Sequence, residues 1–279
     1  MNSIKLKAYA KINFFLSVTG VREDGYHLLS SCFQSIGIHD GVALKKKDKT
    51  AVLCEGVTGD NIALKAVSAL EKHTGKSLPV EITIKKRTPS GAGLGGGSAD
   101  AAAVLIGLRK LYSLSVSDEE LEGLGASVGA DVPFCVRGGT VLAEGIGERL
   151  TTLPDFPDCY LVVAKPDESN PTPQIFKKFD EAAHFNEGPA EEFKAALIKK
   201  DLDALCSFMA NDLEPYGKTE NTDLLKELLM ENGAKTALMT GSGSAVFGVF
   251  EKVSAARKAK KAIKKRLHCF AEITKPVRS

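Results

Sequence analysis

An α+β fold is predicted from three features of the sequence. Apolar and polar residues alternate at residues 4–18 and 80–85, and helical spacing governs residues 62–70 and most of the second half. The two kinds of segment interleave without a strict βαβ repeat. The 279 residues suit one large domain or two packed ones.

The first strand carries Ile4, Leu6, Ala8, Ala10, Ile12, Phe14, Leu16 and Val18 on one face. Lys5, Lys7, Tyr9, Lys11, Asn13 and Ser17 take the other, so Lys11 and Asn13 leave the strand together, opposite the core. Arg22-Glu23-Asp24-Gly25 makes a turn, Tyr26 and His27 follow, and a β-hairpin is predicted across residues 45–49. Asp60 and Asn61 open a helix that ends at Gly75. A strand at 80–85 runs into Pro89 and a glycine-rich segment, and a helix carrying residues 101–111 comes next. Ser117-Asp118-Glu119-Glu120 is a capping box for the following helix. The pattern after Phe134 reads as strand through Val141 and Leu142, and residues 160–164 read as a short buried strand. The Pro- and Asp-containing stretch at 153–158 sets a domain boundary, dividing the chain into 1–153 and 154–279. Helices then run to Asn232, strands at 236–239 and 245–250 flank a Gly/Ser turn, and a basic helix and a last strand finish the chain.

Composition narrows the function classes. With 43% hydrophobic and 26% charged residues the chain is an ordinary globular protein. A net charge of +2 demands no polyanionic partner, and the basic helix at 257–266 keeps apolar residues at helical spacing, so its lysines read as a solvated face and not a nucleic-acid surface. The six cysteines form no C-x-x-C pair and have no histidine at ligand spacing, which reads as reduced thiols in a cytoplasmic protein. No secretory signal pattern opens the chain and no stretch approaches the ~20 apolar residues of a membrane span.

The strongest chemical signal is Pro89-Ser90-Gly91-Ala92-Gly93-Leu94-Gly95-Gly96-Gly97-Ser98, between a strand and a helix. Glycines permit positive φ and close approach of backbone, successive N–H groups form an anion nest, and the helix that follows presents its positive end. Ser98 sits at that helix start, where its hydroxyl could bind a phosphate oxygen or help position Mg²⁺. Gly91, Gly93 and Gly96 formally satisfy G-x-G-x-x-G, but no second strand ends in an acid about 20 residues on. A Walker A loop is excluded by the lack of G-K-[ST], and the H-R-D and D-F-G segments of protein kinases are absent.

Gly129-Ala130-Asp131-Val132-Pro133 offers a carboxylate that could accept a proton from an attacking hydroxyl. On the pentapeptide alone a helix or turn cap is the simpler reading. Lys11 likewise reads as a solvated strand lysine unless it pairs with Asp131 beside the phosphate loop, where it would offset charge on a transferring group. Thr240-Gly241-Ser242-Gly243-Ser244 is either a plain hairpin turn or backbone that closes a ligand site.

Taken together, Ala10-Lys11-Ile12-Asn13, Asp24-Gly25-Tyr26-His27, the glycine loop, Gly129-Ala130-Asp131-Val132-Pro133, Ala143-Glu144-Gly145-Ile146-Gly147-Glu148 and Pro171-Thr172-Pro173-Gln174-Ile175-Phe176 resemble the GHMP kinases almost end to end. Within them, the first two segments and the last resemble the diphosphocytidyl-methylerythritol kinase family more than homoserine, mevalonate or galactose kinases. The resemblance implies an amino-terminal ribosomal-protein-S5-like domain, a ferredoxin-like carboxy-terminal domain and an active site in the cleft between them. It also implies ATP, Mg²⁺ and a small-molecule acceptor, cytidine diphosphate methylerythritol, for a monomer or homodimer with no membrane or nucleic-acid partner. Carried over residue by residue, Asp131 is the base and Lys11 its partner. Asn61, Pro89, Gly91, Gly93, Leu94, Gly95, Gly96, Gly97 and Ser98 face ATP, while Asn13, Tyr26, His27, Thr172 and Phe176 face the acceptor. Asp100 departs from the pattern, standing where some relatives have asparagine. Two rivals are another GHMP kinase, such as a homoserine kinase, and a nucleotide-binding protein without catalysis.

Overall fold

The structure, a computed structural model, describes residues 1–54, 61–182 and 184–278. Asp60, expected at the first helix start, lies outside the described residues. The elements in chain order are β1 (Ser3–Val21), β2 (His27–Lys46), β3 (Ala51–Cys54), α1 (Ile62–Thr74), β4 (Val80–Lys85), α2 (Gly96–Leu111), α3 (Asp118–Val128), α4 (Val132–Arg137), β5 (Thr140–Gly145) and β6 (Arg149–Thr152). There follow β7 (Tyr160–Lys165), α5 (Thr172–Asp180), α6 (Ala190–Lys199), α7 (Leu202–Ser207), α8 (Glu214–Gly217), α9 (Glu220–Glu231), β8 (Thr236–Met239), β9 (Val246–Phe250), α10 (Val253–Leu267) and β10 (Phe270–Thr274). Two compact units emerge, one of Met1–Lys11, Ile38–Ser90 and Gly95–Gly138, the other of Ile12–Gly37, Gly91–Leu94 and Gly139–Ser279.

In the first unit β4 pairs antiparallel with residues 41–46 of β2 and parallel with β3. The expected hairpin across 45–49 therefore does not form. β4, rich in β-branched residues, takes the edge of β2 and leaves β3 on its own far side. Among the described residues α1 to α4 complete this unit, and their apolar stripes bury Val67, Leu70, Leu105, Leu108, Leu121 and Val132 against Val42, Leu44 and Ile82. The alanine run in α2 is buried, its short side chains letting the helix lie close on its neighbours. Asn61 caps α1 by accepting from Ala63 N at 2.9 Å, and the Ser117–Glu120 capping box opens α3 as expected. Residues 132–137 form α4 and not the start of a strand. Pro133 in its first turn suits a helix start, and the strand pattern begins only at Thr140, after Gly138 and Gly139 at positive φ.

In the second unit residues 29–34 of β2 pair with β5, and β5 with β6. A separate antiparallel sheet has the order β10-β7-β9-β8. Numbered along the chain those four strands read 4-1-3-2, with α9 ahead of the second and α10 ahead of the fourth, the split βαβ arrangement expected of a ferredoxin-like domain. Leu225 and Leu229 of α9 and Ala256, Ala259 and Ile263 of α10 are buried with Val162, Val246 and Phe250 of the sheet, which leaves Lys258, Lys261, Lys264 and Lys265 exposed. Phe14, Phe156, Phe193 and Phe247 pack ring on ring, Phe14 and Phe156 stacked at 4.1 Å. Every residue of β1 from position 10 to position 18 is buried, polar ones included, so the half-buried alternation holds only for the strand's first residues.

Candidate active site

Lys11 and Asp131 come together in the first unit. Lys11 is 5% exposed on β1, and its Nζ lies 3.6 Å from Asp131 Oδ2. Asp131 stands at the N-cap position of α4, yet its side chain makes no cap hydrogen bond, which leaves the carboxylate directed to Lys11. Gly95, at φ +66, is the N-cap of α2. A Cβ there would lie 3.0 Å from Lys11 Cγ and 3.6 Å from Asp131 Oδ2, so the glycine brings loop backbone directly onto the pair. The first α2 hydrogen bond is Ala99 N to Gly95 O, and the N–H groups of Gly96, Gly97 and Ser98 precede it as helix-start donors. Gly97 faces Ile62, which sets Asn61 and the start of α1 beside the start of α2.

A buried polar cluster accompanies this loop. Lys86 Nζ donates to Asp40 Oδ2 at 2.5 Å and to Asp100 Oδ2 at 2.7 Å, and Asp40 Oδ1 accepts from the backbone N–H groups of Arg87 and Thr88. Burial pushes the Asp100 carboxyl up to about 6 despite the nearby ammonium, and Asp40 adds to the rise. The two carboxylates hold the Lys86 ammonium above its ordinary value against its own burial.

The second unit gathers the remaining residues. Asn13, 1% exposed, accepts from Thr240 Oγ1 at 3.1 Å, donates to Ser31 Oγ at 2.9 Å and gives its backbone N–H to Thr240 Oγ1. The two small-residue loops pack on one another. Gly93 sits at φ +73, where a Cβ would fall 2.3 Å from Thr240 O, and Ala245 N donates to Ala92 O. Thr172, the first residue of α5, shares a 2.8 Å hydrogen bond with Ser242 of the same turn. His27 stacks on Phe176 with centroids 4.4 Å apart, and its Nε2 donates to Asp180 Oδ1 at 2.6 Å. Tyr26 is 58% exposed, with the Arg22 guanidinium 5.5 Å from its ring centre.

Comparison with known proteins gives this geometry its context. The family model described as GHMP kinases N terminal domain matches residues 61–139, and that described as GHMP kinases C terminal matches residues 193–269. The 4-diphosphocytidyl-2-C-methyl-D-erythritol kinase of Clostridium tetani is 41% identical over 254 residues, covering 88% of this chain and 91% of the relative. That of Citrifermentans bemidjiense is 40% identical over 288 residues, covering 99% and 100%. A crystal structure of 4-(cytidine 5'-diphospho)-2C-methyl-D-erythritol kinase superposes with a TM-score of 0.83 at 33% identity, covering 98% of this chain and 100% of that one. The chain belongs to the 4-diphosphocytidyl-2-C-methyl-D-erythritol kinase family.

As a member of this kinase family the chain is an enzyme, a phosphotransferase acting on an alcohol with ATP as co-substrate. Homoserine kinase from Cytophaga hutchinsonii, with a TM-score of 0.79 at 19% identity, shares the fold. Among the described residues no helix is long and apolar enough to cross a membrane. Of the residues singled out from sequence, Lys11, Asp131 and Gly95 meet, as do His27 and Phe176. Asn13 and Thr172 each meet the Thr240 to Ser244 turn, whereas Tyr26 lies at the surface. Sequence reasoning missed Ser31, Asp180, Asp40 and Lys86. Asp180 follows Phe176 by one helical turn and could have been found by that spacing, but nothing in the pattern marks Asp40 or Lys86.

Proposed function

We propose that this chain transfers the γ-phosphoryl group of ATP to the 2-hydroxyl of 4-diphosphocytidyl-2-C-methyl-D-erythritol, a step of non-mevalonate isoprenoid precursor biosynthesis. The observation that carries the reading is the Lys11–Asp131 pair against Gly95, at the start of α2. Asp131 takes the proton of the acceptor hydroxyl while its oxygen bonds to the γ-phosphorus; the bond from that phosphorus to the β–γ bridging oxygen breaks, and ADP leaves. Lys11 offsets charge on the phosphoryl group in flight. The N–H groups of Gly96, Gly97 and Ser98, with the positive end of α2, hold phosphate oxygens, and Asn61 and the rest of the 89–98 segment line the nucleotide.

Mg²⁺ keeps mostly phosphate oxygens and waters as ligands, and the hydroxyl of Ser98 in the first turn of α2 suits such a partly hydrated ion. When bound it neutralises charge on the β- and γ-phosphates. Tyr26 and Phe176 offer aromatic faces for the cytosine ring and His27 adds polar contacts at its edge, with Asn13 and Thr172 serving the rest of the acceptor. Residues 1–153 and 154–279 are the two domains in this reading, which the family matches on either side of the cut support. Six cysteines without a C-x-x-C pair and the use of ATP favour the cytoplasm.

An ADP-release assay against alcohols with and without a cytidine diphosphate group tests the proposal. Turnover confined to the cytidine diphosphate substrate is expected. Good turnover of homoserine or mevalonate, with none of the cytidine diphosphate substrate, would overturn it.

A further inference from the structure

Lys86 follows β4 directly, Asp100 lies in the first turns of α2, and the glycine loop spans the interval between them. The two ends of the loop are thus tied through one ammonium group. Asp40 extends the tie to β2, because its Oδ1 accepts from Arg87 N at 2.5 Å and Thr88 N at 2.7 Å while its Oδ2 accepts from Lys86. Asp40 is 0% exposed and Asp100 4% exposed, so these contacts are shielded from water and carry more weight than surface pairs. Gly96 completes the packing, since a Cβ there would meet Thr88 Cγ2 at 3.0 Å. Burying two carboxylates around one ammonium is costly, and an arrangement of this kind is weak as a source of stability. Asp100 Oδ1 and Thr88 Oγ1 are also buried without a hydrogen-bond partner among the described residues, which adds to the cost.

We propose that Asp40 and Asp100, acting through Lys86, are positioning residues that hold the two ends of the phosphate loop at a set separation, so that its N–H donors are arranged before nucleotide arrives. The proposal rests on the reading of residues 89–98 as the nucleotide loop. Preorganisation lowers the ordering cost of binding, so losing the tie weakens the phosphate-bearing ligand and spares the others. Deleting Lys86 would strand two buried carboxylates, so the aspartates are the better probes.

Calorimetry on the full-length chain compares ATP, adenosine and the cytidine diphosphate acceptor for wild type, Asp100→Ala and Asp100→Asn, with amide exchange recorded across the unliganded protein. Asp100→Ala should weaken ATP tenfold or more, leave adenosine and acceptor within twofold, and speed exchange at residues 86–98 alone. Asp100→Asn, which keeps an oxygen for Lys86, should recover most of the ATP affinity. If Asp100→Ala does not fold, Asp40→Asn reads the same comparison, since it keeps an acceptor for the two backbone N–H groups and can turn an amino group toward Lys86. Unchanged ATP affinity in a folded variant overturns the proposal. So does a fall in all three affinities with faster exchange throughout, which would mark a general loosening. Wild type that fails to bind ATP would instead refute the nucleotide-loop reading, and the positioning role with it.

Discussion

Lys11 Nζ stands 3.6 Å from Asp131 Oδ2, and Gly95 packs against both residues. At that distance the ammonium supports the carboxylate electrostatically without a short hydrogen bond to compete for the oxygen that takes a proton in the proposed role. Asp131→Asn should therefore lower kcat by about 10²–10⁴-fold while ATP affinity and thermal stability stay close to wild type. Single-turnover kinetics with both substrates saturating, alongside ATP titration, checks this. Near wild-type kcat in the folded variant would remove Asp131 as the base.

Gly93 and Gly95 both sit at positive φ, but their surroundings differ, and so should their variants. Gly95→Val fills the space beside Lys11 and Asp131 and forces a β-branched residue into a left-handed conformation, so ATP binding should be lost. Gly93→Ala sets a Cβ against the fixed Thr240 carbonyl, and no side chain can move to relieve the clash. It should cost at least about 2 kcal/mol, seen as a Tm lower by roughly 2–4 °C for each kcal/mol. Calorimetric ATP titration and thermal melts separate the two; equal ATP affinity in Gly95→Val and wild type would mean the phosphates lie elsewhere.

His27 and Phe176 stack face to face, which gives them separable roles toward a base. Stacking tolerates any base, so Phe176→Ala and Tyr26→Ala should weaken cytidine and uridine substrates alike. With Nε2–H donated to Asp180, Nδ1 acting as an acceptor suits the amino group of cytosine and not the carbonyl of uracil. A mismatched buried group costs roughly 1–3 kcal/mol, so wild type should prefer cytidine by on the order of tenfold or more. His27→Ala and Asp180→Ala should both narrow that gap. The measurement is kcat/KM for matched cytidine and uridine acceptors, and equal treatment of both bases by wild type would refute the assignment.

Asp100 supplies a pH dependence. Its folded pKa, about 6, lies above the ordinary 3.8, so the folded state binds the proton more tightly than the unfolded chain. Stability from this group is fully present below about pH 4, falls as pH rises, and is gone by about pH 6, a change of about 2–3 kcal/mol. Urea midpoints between pH 4.5 and 7 should show that slope, and Asp100→Asn should flatten it. An unchanged slope in the variant would assign the effect to other groups.

Much of the fold was legible because local pattern and tertiary environment agreed. The Ser117 capping box and the solvated lysines of α10 follow from short-range chemistry that tertiary contacts reinforce, whereas the split βαβ order of the last four strands was expected only through the family resemblance. The hairpin at 45–49 and the strand after Phe134 failed for the opposite reason. Partner choice between β2, β3 and β4 depends on which edge is covered, and α4 is too short for periodicity to reveal.

The candidate site divides in the same way. By itself the sequence determined that a glycine loop leads into a helix, that Asp131 lies in a small, rigid setting, and which family these segments resemble, because backbone freedom and residue chemistry are local properties. Only the tertiary structure decided that Lys11 is buried and meets Asp131, that the Thr240 turn packs against Gly93, and that Asp100 turns to Lys86 and Asp40. Those are pairings between residues remote in sequence. They depend on which surfaces the core brings together and on the cost of leaving a buried charge without a partner, neither of which any short stretch of sequence encodes.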